Sequence, residues 1–165
     1  MLYAEGPTTE AEVHVAAPPA AVWPLVCDID LPGRFSSEFV RGEWGETGGP
    51  ALGATFTGHN HHDAVGDWHT PCTVVEYEPE RRFAWAVGDP EHPSALWRFE
   101  LEPDRSGTRL RQWMRLGPGR TLLNSAIERM PEKEERIIDR RLAEHRANME
   151  ATVRGIKELV EESRP

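Results

Sequence analysis

The chain has 165 residues, enough for one domain with a sizeable core. Its net charge is −9 and its basic residues are dispersed rather than grouped, which argues against a nucleic-acid partner. No apolar run reaches the length of a membrane span, and the start lacks the charged-then-apolar form of a secretory signal.

The two cysteines, Cys27 and Cys72, have no metal-site spacing and read as reduced thiols of a cytoplasmic protein. Residues 1–10 are polar and contain Pro and Gly, and are expected to be a flexible lead-in to one domain spanning 11–163. Glu12–Ala16 alternates and predicts a first strand. Pro18 and Pro19 open a helix carrying Ala21, Val22, Leu25, Val26 and Ile29, with Pro24 expected to kink or shorten it. Asp-Leu-Pro-Gly from Asp30 is a turn, followed by a short helical piece near Arg34–Phe39 and a strand starting at Arg41–Trp44.

Five strands follow, at about 53–61, 67–78, 82–88, 95–102 and 108–116. The turns between them are short, so they form an antiparallel meander. Alternate positions on these strands are unusually aromatic: Phe56 with Gly58 and Asn60; Trp68 with Thr70, Cys72 and Val74; Phe83 and Trp85; Trp97, Phe99 and Leu101; then Leu110, Gln112 and Met114. One sheet face carries them all. An apolar face with a few polar handles reads as the wall of a ligand pocket.

After Gly117-Pro-Gly119 the period changes. Thr121–Met130 is a short amphipathic piece, and Pro131 seeds a long helix to about Glu162 with Glu132, Glu134 and Glu135 near its start. Its apolar stripe is Ile138, Leu142, Met149, Val153, Ile156 and Val160, and His145 lies on it. That stripe must be buried against the aromatic sheet face. The fold class is therefore α+β: a curved antiparallel sheet of about seven strands wrapped around a long C-terminal helix, with two short helices after the first strand.

The quoted segments, together with Val13–Trp23, Gly53–Phe56, Glu78-Pro79 and Gly107–Leu110, resemble the START/Bet v 1-like superfamily and within it the polyketide cyclase/dehydrase type. The resemblance covers about residues 11–162. It implies a helix-grip fold with a cavity between sheet and helix, and a function among ligand carriers, aromatase/cyclases, ring-hydroxylase domains and self-resistance proteins; fold alone does not choose among these.

The candidate ligand-binding residues are Phe56, Asn60, Trp68, Thr70, Cys72, Trp85, Trp97, Phe99, Gln112, Met114, Arg141 and Met149. Asn60, Thr70, Cys72 and Gln112 either meet a ligand or satisfy one another and internal water. Arg141 either guards the mouth or is a solvated side chain with a packed stem. His145 is the candidate general acid or base, against the alternative of a packed core histidine.

If Phe56 pairs with Cys72, His59 opposes His69, and His61 opposes Asp67, all on the outer face. The reading there is a solvated face rather than a metal site. No nucleophile elbow, phosphate loop or inward carboxylate pair appears. The expected function is binding of an aromatic or polyketide-like hydrophobic molecule, without cofactor, by a monomer or weak homodimer. The alternatives are an aromatase/cyclase or dehydratase, or a resistance protein that sequesters a reactive product.

Overall fold

In the computed structural model, which describes residues 1–164, seven strands form one antiparallel sheet. They are β1 (Thr8–Val15), β2 (Phe39–Trp44), β3 (Thr55–His62), β4 (Gly66–Glu78), β5 (Arg82–Val87), β6 (Ala95–Asp104) and β7 (Gly107–Leu116). Their spatial order is β1-β7-β6-β5-β4-β3-β2. Strands β2 to β7 are thus a simple meander, as short turns require, and β1 closes against the last of them.

The β3/β4 hairpin has the register expected from its aromatic phase: Phe56 faces Cys72, His59 faces His69, and His61 faces Asp67. A one-residue slip would have turned the apolar set outward, so the pattern fixes the pairing. Farther along β4 the register shifts, with Val74 opposite Trp85 and Glu76 opposite Ala84. Val75 is the extra residue of this bulge. It re-phases the strand so that Tyr77, opposite Phe83, joins the inner side while Glu76 goes out.

Three α-helices complete the fold: α1 (Pro19–Val26), α2 (Leu122–Arg129) and α3 (Glu134–Glu162). The last has 29 residues, about 43 Å of helix. Its buried positions, Ile138, His145, Met149, Thr152, Val153, Gly155, Ile156 and Val160, follow the predicted stripe except that Leu142 is only half-buried, and add Gly155 and Thr152. Helix α3 lies against β1 and β7 and touches α1 and α2. The core beneath it includes Val15, Val22, Phe83, Phe99, Leu110 and Met114, each at 0–1% exposure. Burying side chains of this kind contributes about 1.5–3 kcal/mol each. The outer face of the sheet carries an ionic ladder instead: Arg98 donates to Glu76 at 2.6 Å, and Arg111 reaches Glu10 at 3.2 Å and Glu100.

Several boundaries differ from those the sequence predicts. Strand β1 begins at Thr8, not Glu12, because it runs antiparallel to the whole of β7, with Thr8 opposite Arg115. Before it, residues Tyr3–Glu5 form a 3-10 turn, and the buried Tyr3 donates its hydroxyl to the Gly119 carbonyl at 2.6 Å. The second helical piece lies at Leu31–Arg34 rather than Arg34–Phe39 and is a 3-10 turn. Asp28 holds its start by accepting from the Asp30 and Leu31 amides. Helix α1 runs through Pro24, because that proline is exposed and costs one backbone bond near the end of an eight-residue helix.

Candidate functional site

The inner face of the sheet brings five of the predicted residues into one cluster. Trp85 and Trp97, opposite each other on β5 and β6, stack with ring centroids 6.4 Å apart and planes 10° from parallel. Phe56 meets Trp85 edge-on at 5.9 Å, and Phe99 lies 6.0 Å from it. From α3, His145 stands edge-on to Trp97 at 5.2 Å. Pairs of this geometry add about 0.5–1.5 kcal/mol each beyond the area they bury. Met114 and Met149 are fully buried beside this cluster.

Burial changes along this face. Phe83 and Phe99 are sealed, whereas Trp85 and Trp97, the next inward positions toward the Val87 and Ala95 ends, are only half-buried. The open, ligand-sized cavity expected between sheet and helix is not what the packing presents. Stacked Trp85 and Trp97 occupy part of that space, and the Phe35 ring lies against α3 at Gly155, so close that a Cβ there would come within 2.4 Å of Phe35. Two open clefts lie elsewhere: one of about 310 Å³ beside β2, β3 and β4, and one of about 500 Å³ between Tyr3 and α2.

Trp68 lines the first of these clefts, with Asn60, Val40 and Arg41, and is not among the rings that contact the Trp85–Trp97 pair. The two residues share the inward phase but sit near the turn of the β3/β4 hairpin, away from the cluster. Asn60 makes a long bond, 3.5 Å, to the Gly58 carbonyl. Thr70 and Cys72 satisfy each other at 3.8 Å. Burial pushes the Cys72 thiol up to about 11 and the Cys27 thiol up to about 12, so neither is a nucleophile at neutral pH. Gln112 is 5% exposed, and its Oε1 has no partner among the described residues.

Arg141 lies one turn before His145. It grips Glu38 with both guanidinium nitrogens, at 2.6 and 2.8 Å, and reaches Glu144 at 3.1 Å. One residue earlier, Ser37 donates its amide and hydroxyl to Asn148 of α3, each at 2.9 Å. Residues 35–38 thus form a strap from the end of the 3-10 turn to the long helix. Desolvation, then the Arg141 charge, lowers the His145 imidazole to about 3. It is neutral at pH 7, and its ring nitrogens have no hydrogen-bond partner among the described residues.

Glu38, His62 and Glu144 offer three donor atoms within 4.8 Å of one another. Arg141 already supplies the positive charge between the two carboxylates, so the set reads as an ion cluster that fastens the strap. On the outer face, His59 and His69 lie opposite with centroids 5.9 Å apart, but His59 is paired with Glu43, and His61 with Asp67 and Asp63. A Ser106–His14–Asp104 contact near the β6/β7 turn is not a catalytic relay. Both partners converge on the same His14 nitrogen, Nε2, whereas a relay needs one on each.

Sequence reasoning missed Phe35, Glu38, His62, Glu144 and Gly155. The strap's contacts join Glu38 to Arg141, 103 residues away, and Ser37 to Asn148, 111 away, with Phe35 farther still from Gly155, and no spacing rule links them. Gly155 alone left a signal, because a glycine inside a helical stripe costs about 1 kcal/mol and hints at a close approach.

Residues 7–150 match the family model described as polyketide cyclase/dehydrase and lipid transport. The chain is similar to the solution structure of a Polyketide_cyc-like protein, Cgl2372, from Corynebacterium glutamicum: 31% identity over 93% of this chain and 91% of that one, with a TM-score of 0.64. It shares its fold with TTHA0849 from Thermus thermophilus, at 18% identity, 96% and 100% coverage and TM-score 0.62. The same holds for the di-domain aromatase/cyclase StfQ of the steffimycin biosynthetic pathway, at 15% identity over 94% of this chain and 51% of that one, with a TM-score of 0.63. No functionally curated protein matches it.

Proposed function

The chain belongs to the polyketide cyclase/dehydrase and lipid transport family, and from that premise we propose that it binds an aromatic or polyketide-like hydrophobic molecule between the inner sheet face and α3. The observation that carries this reading is the half-buried Trp85–Trp97 stack under His145, on a face whose next residues, Phe83 and Phe99, are sealed. Large rings that face a core yet keep contact with solvent mark the place where another ring can stack. The 35–38 strap, whose Phe35, Ser37 and Glu38 all rest on α3, holds the helix in place over this face. In this reading the protein works in the cytoplasm, without a cofactor, as a monomer or weak homodimer.

The test is quenching of tryptophan emission by a tetracyclic aromatic. Trp85→Phe and Trp97→Phe should each remove a large part of the quench, while Trp68→Phe, apart from the cluster, should retain most of it. Unchanged quenching in both inner variants would place the ligand elsewhere.

An aromatase/cyclase or dehydratase would use the same space, with His145 moving a proton. His145 stands in position beside Trp97. With its pKa lowered to about 3, however, it is a weak proton acceptor at neutral pH. Binding therefore stands ahead of catalysis.

A further inference from the structure

Gln112 occupies the middle of β7, facing inward between Leu110 and Met114, both at 0% exposure. Its neighbours across the ladder are Phe99 on β6 and Ala11 on β1, and neither side chain has a polar atom to offer. Its Oε1 is sealed and unpartnered among the described residues. A buried amide oxygen without a donor is costly, and leucine or methionine would fill the same volume without that cost. The residue sits close to the aromatic pair. Trp97 is the ladder partner of Met114, two residues along β7 from Gln112, a step of about 7 Å.

The charges around this space are already matched. Arg141 is held by Glu38 and Glu144, and the polar groups on the inner face, Thr70, Cys72 and Gln112, are uncharged. No free cation on that face awaits an anionic head group among the described residues. What the interior leaves unmatched among the described residues is therefore uncharged: the Gln112 acceptor on β7 and the neutral His145 imidazole beside Trp97.

Resting on the reading that an apolar ligand enters this space, we infer that Gln112 selects its chemistry: the Oε1 accepts a hydrogen bond from a hydroxyl on an otherwise apolar, uncharged ring system. A carboxylate is disfavoured, because it would bring a second acceptor against the Gln112 oxygen and lose its hydration with no cation to receive it. The ligand is thus a neutral aromatic alcohol rather than a fatty acid or other anionic lipid.

Calorimetric titration with 2-naphthol, 2-methoxynaphthalene and 2-naphthoate tests this directly. The ether keeps the ring and the oxygen but lacks the proton. The wild type should bind 2-naphthol about tenfold more tightly than the ether, and 2-naphthoate most weakly. Gln112→Leu should abolish the preference for 2-naphthol while leaving affinity for the ether within about threefold, and should raise the melting temperature, because the orphaned oxygen is gone. Gln112→Met gives the same comparison if the leucine variant does not fold. A preference for 2-naphthol that persists in the variant overturns the assignment, as does tighter binding of 2-naphthoate by the wild type. Binding of both neutral probes without preference overturns this inference alone. Binding of neither overturns the ligand site itself, and the inference with it.

Discussion

His145 shows how one residue reports on its surroundings. The residue is 7% exposed with its ring edge-on to Trp97, and burial with the nearby Arg141 charge lowers its pKa to about 3. In the unfolded chain the value returns to about 6.5. Between those limits the unfolded state binds more protons than the folded one. Stability from this group is therefore complete above about pH 6.5 and is lost as pH falls toward 3, with a slope of up to about 1.4 kcal/mol per pH unit. His145→Leu, which cannot titrate, should flatten the pH dependence of the urea midpoint between pH 4 and 6.5. An unchanged slope would mean that His145 takes up its proton without unfolding.

The element that fastens the long helix from outside the sheet is the strap at residues 35–38. Its hold on α3 combines one ring contact and two polar anchors: Phe35 on Gly155, Ser37 on Asn148 and Glu38 on Arg141. In an ordinary helix, glycine to alanine stabilises by about 1 kcal/mol. Here the new Cβ would meet the Phe35 ring at 2.4–2.6 Å, so Gly155→Ala should instead destabilise by about 1–3 kcal/mol. Adding Phe35→Leu should recover part of that loss in chemical denaturation. If the single alanine variant proves more stable than wild type, the ring is not fixed there. Arg141→Ala leaves Glu38 and Glu144 facing each other without their common cation. It should cost about 1.5–3 kcal/mol and speed amide exchange at residues 36–39 more than on β6 and β7.

At the scale of the whole molecule, sheet and long helix share one core, and a ligand between them touches both. Anything that binds the folded chain alone must raise its melting temperature. A ligand present at a hundredfold excess over its Kd should add about 2.7 kcal/mol, a rise of roughly 5–10 °C for a chain of this size. A compound that quenches tryptophan without raising the melting temperature meets folded and unfolded chains alike, so its quenching is collisional and reports no site. The thiols give an independent check on cooperativity. With Cys27 and Cys72 both buried and protonated, each should react with a disulfide reagent only as fast as the chain opens.

The sequence by itself determined the strands, the meander, the hairpin register of Phe56 with Cys72, and the long helix with its stripe. Each of these follows from a local period that a burial pattern enforces. It also placed Trp85, Trp97, Phe99 and His145 on facing surfaces, because residues in phase on paired strands must meet. Only the tertiary structure decided which of those rings touch, leaving Trp68 outside the cluster near the hairpin turn. Only it joined Glu38 to Arg141 across 103 residues, set Phe35 against Gly155, and left the Gln112 oxygen without a partner among the described residues. The physical reason is the same in each case. Periodicity says which way a side chain points, but contact, charge pairing and the filling of space depend on where distant segments come to rest.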